Sequence, residues 1–138
     1  MANEIGEAKR GLASVLSNID GLRVFDHAPD SVHEFPAAIV RLESRESVET
    51  LGGGAVRGSM RVEVLVSAAD ARQAEAMLDA LVEPQGARSI EAAANTDPSW
   101  DGAVDYGHLL SVDNIGARKA RGANCVGADF RFVFMARG

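Results

Sequence analysis

Between Asp26 and Glu34 the chain places two imidazoles among three carboxylates, Asp26, His27, Asp30, His33 and Glu34. That mixture is the one divalent-metal and hydrolase sites draw on. Its spacing matches no established ligand pattern, and Pro29-Asp30-Ser31 at its centre reads as a turn whose side chains bond nearby backbone. The preferred reading is a solvated connection, and a metal site is kept as the competitor.

Three other places invite the same question. Gly52, Gly53, Gly54 and Gly58 have the density of a phosphate-cradling loop, but no Lys or Ser/Thr follows at the required offset and the segment leads into a strand rather than a helix. Backbone freedom in a hairpin or binding loop is the better use of these glycines. Asp97, Asp101 and Asp105 surround Trp100 without the glycine and closing glutamate of a calcium loop, so a surface loop with a partly buried indole is expected. Cys125, the only cysteine, permits no intrachain disulfide, and its setting in a carboxy-terminal strand reads as a buried, inert thiol. His108, in line with Val104, Tyr106 and Leu110, is expected to be a satisfied core or interface histidine. No nucleophile, base and orienting group come together, so the chain is not expected to be an enzyme or to carry a cofactor.

The elements that must hold these residues are easier to read. Ile5, Ala8, Leu12, Val15, Leu16 and Ile19 recur at helical spacing and Gly21 supplies a stop, which predicts a helix over 4–19 weakened slightly by Gly6 and Gly11. Leu22 to Phe25 and Ala37 to Leu42 read as short strands joined by a polar crossover containing Pro29 and Pro36. Met60, Val62, Val64 and Val66 alternate with Arg61 and Glu63, a half-buried strand. Ser67 is the expected cap of the next helix, with Asp70 three residues on. In that helix Ala74, Met77, Leu78, Leu81 and Val82 form one stripe before Pro84 and Gly86 end it. Ser89 caps a brief helix carrying Ile90, Ala93 and Ala94. Val104 to Val112 and Asn124 to Met135 complete the set, the latter with Phe130, Phe132 and Phe134 in alternation. The expected fold is α+β: a two-layer sandwich with a mainly antiparallel sheet of about five strands and two main helices on one face, in one domain spanning 1–138.

Length and charge narrow the function. A chain of 138 residues, 46% hydrophobic and 25% charged, has ordinary globular composition. No apolar run is long enough for a bilayer, and the start of the chain, with Asn3, Glu4 and Glu7, lacks the charged-then-apolar order of a signal peptide, so a soluble, unexported protein is expected. The 14 basic residues are scattered among 20 acidic ones for a net charge of −6, which argues against sequence-independent binding to nucleic acid.

The order of elements resembles a family. An amino-terminal helix precedes Gly21-Leu22-Arg23-Val24-Phe25, and Pro29-Asp30-Ser31 precedes Pro36-Ala37-Ala38-Ile39-Val40. The strand Arg61 to Val66 runs into Ala68-Ala69-Asp70-Ala71-Arg72, Leu81 to Ser89 carries a Pro-Gln-Gly-Ala-Arg-Ser turn, and Gly127-Ala128-Asp129-Phe130 opens the closing strand. Taken together the chain resembles the tail terminator proteins, also called tail completion or tail-to-head joining proteins, of long-tailed bacteriophages. The resemblance implies a virion subunit that forms a ring, usually hexameric, on the last ring of the tail tube. Such a ring stops tube polymerisation and presents a surface to the head connector. Its partners would be further copies of itself, the major tail tube protein and the connector, with DNA passing through an acidic lumen without specific binding and no membrane involved.

Under that resemblance the segment Glu43 to Gly58 is the candidate contact arm. Arg45, Glu46, Glu49 and Arg57 would be rim charges and Gly52, Gly53 and Gly54 a flexible tip, either loose in the free protein or ordered on binding. A head-completion or connector adaptor of the same virion, and a small metal- or ligand-binding domain built on His27 and His33, are the alternatives.

Overall fold

The computed structural model describes residues 4–50, 53–120 and 123–137. In chain order the elements are α1 (Glu4–Leu16), β1 (Arg23–Phe25), β2 (Ala37–Thr50), β3 (Gly53–Ser67), α2 (Ala71–Val82), α3 (Ile90–Asn95), β4 (Tyr106–Ala120) and β5 (Ala123–Arg137). The strands make one sheet in the order β1-β2-β3-β5-β4, with β1 parallel to β2 and every other pair antiparallel. The helices lie on one face, so the expected α+β sandwich is the observed one.

Each helix is placed by its apolar stripe. Ala8, Leu12 and Leu16 of α1, Ala74, Leu78 and Leu81 of α2, and Ile90 and Ala94 of α3 are buried against Val40, Met60, Val62, Val64, Phe130 and Phe132. Each large side chain so buried contributes roughly 1.5–3 kcal/mol. The opposite face carries a second, smaller cluster in which Val32 from the 26–36 connection covers Ala37, Ile39, Leu65 and Cys125. The run Ala37-Ala38-Ile39-Val40 is apolar without alternation because both of its faces are covered.

Several boundaries depart from expectation for identifiable reasons. α1 stops at Leu16 rather than 19: beyond it the amides of Asn18 and Ile19 bond three residues back, to Val15 and Leu16, tightening the last turn before Gly21 at φ 82. Ile19 is buried all the same. The cap of α2 is Asp70, not Ser67. β3 is still paired at Ser67↔Cys125, and the Asp70 carboxylate accepts from the amides of Arg72 and Gln73 at 3.1 and 3.2 Å. Ser89 caps α3 as expected, accepting from the Ala92 amide at 3.0 Å.

The strands are the larger correction. β2 extends from Ala37 to Thr50 instead of ending at Leu42, and β4 covers Tyr106–Ala120 instead of 104–112. Bulges at Leu42/Ser44, Leu109/Ser111 and Asp113/Gly116 put the alternation out of phase, so a period-2 search loses β2 at its bulge and β4 at its second one. At 14 or 15 residues β2, β3, β4 and β5 are roughly 45–50 Å long, well beyond common strand lengths.

Trp100 joins the two layers. Its indole is fully buried, not partly as expected, edge-on to Phe132 at 6.1 Å and tilted over Phe134 at 5.5 Å. It lies against Gly107, where an added Cβ would come within 2.4 Å of the ring. Its carbonyl abuts Gly11 of α1, where an added Cβ would lie 2.1 Å from the oxygen. Gly11 therefore serves close approach and not merely as a weak point in a helix. Ala at an ordinary helical glycine stabilises by about 1 kcal/mol. Here Gly11→Ala is expected to destabilise by about 1–3 kcal/mol, the range for an overpacked contact, read as a lower urea midpoint at unchanged m-value.

Candidate functional site

Residues 43–58, expected as a polar, glycine-rich loop, are the outer half of a paired hairpin. Ser44 pairs with Ser59, Arg45 with Gly58, Glu46 with Arg57, Val48 with Ala55, Glu49 with Gly54 and Thr50 with Gly53. β5 backs the ribbon as far as Ala55↔Arg137, so the arm is three strands wide for most of its length. The glycines expected to loosen the tip are ladder positions at Gly53 and Gly54, and Gly52 lies outside the described residues. The expected rim charges separate. Arg57 Nη1 donates to Glu46 Oε1 at 2.9 Å on the open face, whereas Arg45 occupies the opposite face, paired with the glycine that sits under Phe134. The Glu46–Arg57 pair is exposed and contributes well under about 1 kcal/mol. The stiffness of the arm resides in its backbone ladder.

The open face of the sheet sets like charges opposite one another. Arg41, Arg61 and Arg131 form one row across β2, β3 and β5, and Glu63 with Asp129 forms the next. Such pairs repel. Two counter-charges resolve them. Glu43, displaced by the bulge beside it, accepts from Arg61 Nη2 at 2.9 Å and pairs with Arg131 Nε at 2.6 Å. The Ser59 hydroxyl donates to Glu43 at 3.0 Å and, its single proton committed there, accepts from Ser44 at 2.7 Å. Arg118 reaches from β4 between the two acids, at 3.1 Å from Glu63 and 3.0 Å from Asp129, and also donates to the Asn114 carbonyl. Asn114, in the left-handed region at φ 54, donates its side-chain amide to Asp129 at 2.9 Å.

These contacts show in the acidities. Burial would raise the Asp129 carboxyl, but the bonds from Asn114 and Arg118 outweigh it and hold it below the usual aspartate range. Glu43 is likewise lowered: Arg61, Ser59 and Arg131 overcome the effect of its burial. Arg118 is raised, its two carboxylates overcoming desolvation.

The other clusters do not assemble into a centre. His27 Nδ1 lies 3.1 Å from Asp26, whose carboxyl is lowered by that bond, while His33 Nε2 faces the Ser31 hydroxyl at 2.8 Å. Among the described residues no group of three or more His, Cys, Asp or Glu is placed to hold a metal ion. Asp97 folds its own loop, accepting from the Ser99 hydroxyl at 2.5 Å and amide at 3.1 Å and from the Asp101 amide at 2.9 Å. The Ser99 hydroxyl leads in lowering its pKa. Cys125 is buried, its Sγ 3.4 Å from the Arg118 carbonyl. His108 is half-buried beside Tyr106, but it is not satisfied: Nδ1 finds no partner among the described residues. It lines a shallow recess of about 170 Å³ with Arg57, Tyr106, Val133 and Met135. A groove of about 250 Å³ at the start of α2 is lined by Phe35, Pro36, Gln73 and Met77, and its acid, Asp70, is already the helix cap.

Charge is divided between the layers. Residues 70–105 carry eight acids against Arg72 and Arg88, the same −6 as the whole chain. The open face mixes arginines at 23, 41, 57, 61, 118 and 131 with carboxylates at 43, 46, 63, 113 and 129. Sequence reading did not find this pattern, because Arg118 and Glu63 are neighbours only through strand register. No helix among the described residues is long and apolar enough to cross a membrane. No family model matches the chain, and no curated protein is significantly similar to it in sequence.

Arg118→Met leaves Glu63 and Asp129 facing each other without their cation. It is expected to cost about 2–3 kcal/mol at neutral pH, below the full cost of breaking a buried pair because the site is only partly buried. The folded Asp129 pKa lies below its ordinary 3.8, so the ionised contact stabilises fully above that value and is lost as pH falls through the lowered one. Urea titrations from pH 7 to pH 3 should therefore show the gap between wild type and R118M closing in acid. A constant gap would show that the arginine acts through packing.

Proposed function

We propose that this chain is a structural subunit of a bacteriophage tail. It forms a ring at the head-proximal end of the tail tube, ends tube polymerisation and offers the attachment surface for the head connector. What carries the reading is the arm: a paired hairpin extension with an open outer edge, exposed along β2 from Ser44 to Ser47. A catalyst invests its irregular segments in a pocket. This fold invests its regular ones in edges, which is what an assembly subunit needs, since unpaired strand edges recruit further chains.

The division of charge fits the same role. Neither the acidic helical layer nor the sheet face, where arginines alternate with carboxylates and most are paired, offers the continuous basic surface that phosphates require, so DNA can pass either one without adsorbing. Partners are further copies of the chain, the tube protein and the connector. The metal-binding alternative loses support because His27 and His33 engage separate neighbours.

The test is reconstitution. Purified chain mixed with tail tubes of the particle it is encoded with should place one ring on one tube end in negative-stain images and limit tube length. Tubes that elongate at the same rate with and without a molar excess of the chain would overturn the assignment. Binding at the connector instead would support the head-completion alternative.

A further inference from the structure

Four large apolar side chains among the described residues are exposed, Leu42, Tyr106, Leu110 and Ile115. Three lie on β4 and the fourth on β2. These are also the strands with open outer edges: β4 has no strand beyond it, with its Gly107 amide bonded to the Pro98 carbonyl below the stretch from Leu110 to Ile115, and β2 is covered by β1 only at Ala37, Ala38 and Ile39. Exposed apolar residues are common singly, but here they coincide with unpaired backbone.

Direction and height make the two edges complementary. Three antiparallel steps separate β2 from β4, so they run in opposite senses, and β1 runs with β2. A β4 strand laid beside the β2 and β1 of another copy is antiparallel to both. The ladder also gives each row a height. Leu42, Met60, Phe132 and Leu109 share one row; Arg41, Arg61, Arg131 and Ser111 share the next. A rotation axis parallel to the strands keeps every row at its own height from copy to copy. It therefore sets Leu42 against the Leu109–Ser111 bulge that contains Leu110. Arg41, exposed and without an ion pair among the described residues, comes opposite Ser111, two residues from Asp113. Phe25 of β1 shares a row with Asp113, beside the bulge that carries Ile115. That second bulge, with Asn114 at φ 54 and Gly116 at φ 154, bends β4 where β1 takes over the opposing edge.

The geometry points to a head-to-tail contact in which β4 of one copy adds to the free edge of β2, and to β1, of the next copy. The occupant of each edge is a second copy of this chain. The contact is heterologous, so repeated about one axis it closes into a ring, and in that respect it rests on the ring-forming reading above. A two-fold β4-to-β4 contact would bury the same apolar residues but leave Leu42 and Arg41 outside it.

Two full-length variants test this. Leu110→Lys with Ile115→Lys disables the β4 edge, and Arg41→Glu with Leu42→Lys disables the β2 edge. All four side chains are exposed, and unchanged urea midpoints will confirm that both variants fold. The wild type should self-associate at millimolar concentration and form rings on tubes, and each variant alone should associate roughly 30-fold or more weakly. Mixed in equal amounts, the variants should form a one-to-one pair by native mass spectrometry, since one good edge of each kind remains. Rings from either variant alone would overturn the edge assignment while leaving the ring reading intact. Loss of association confined to the β4 variant, or no pair in the mixture, would overturn the head-to-tail contact. A wild type that pairs through these edges yet makes no ring on tubes would sustain the contact and overturn the ring reading. A wild type that stays monomeric in solution and on tubes would overturn both.

Discussion

The burial of Trp100 is the contact on which the two layers depend. The ring must pack against β4, which requires that Gly107 carry no side chain, and its backbone must come against α1, which requires the same of Gly11. Phe132 and Phe134 close around the indole, and their position on β5, between β3 and β4, ties both hairpins to the one anchor. The loop that delivers Trp100 holds it at φ 49 through the Asp97 carboxylate, so three local hydrogen bonds offset an unfavourable backbone geometry while the buried ring secures it. Asp97 and Asp101, expected in a surface loop and not in a calcium site, are thus the frame of a core residue.

With the helical layer secured, the open face is left to polar chemistry. A sheet 14 to 15 residues long cannot be covered by helices of 12 and 13, and the uncovered part must be soluble without being loose. The solution is a lattice in which rows of like charge are held together by Glu43 and Arg118. Each is bonded to two opposite charges, which costs less conformational entropy per contact than separate exposed pairs would. The lattice also ties β2 to β5 and β4 to β3, across strands that do not pair directly. That is a means of making the arm and the long β4–β5 hairpin behave as one plate.

A plate with two open edges is suited to joining other chains. The three bulges interrupt both edges, which guards against indiscriminate strand addition while still allowing a partner whose irregularities match. The net negative charge stays with the helical layer, away from those edges, so that association of like-charged copies is opposed less there than the total charge would suggest.

What local sequence determined by itself was whatever a short window can encode. The stripes of α1 and α2, the Ser89 cap, the alternation of Met60 to Val66 and of Phe130 to Phe134, and the α+β class all follow from apolar periodicity, which reflects which side of an element meets the core. The buried state of Cys125 was legible for the same reason. The length of β2 and β4 was not, because each bulge shifts the phase of the pattern and a bulge is stabilised by the partner strand rather than by its own residues. In sequence the arm accordingly has the look of a loop, and Gly11 that of a flaw in a helix, when it is the socket for the Trp100 carbonyl. The pairing of Arg118 with Glu63, 55 residues away, the unsatisfied His108 and the matched heights of Leu42 and Leu110 exist only once register is set. Register is a property of whole strands packed on a common core, so tertiary structure alone decided where the charges meet and which edges remain open.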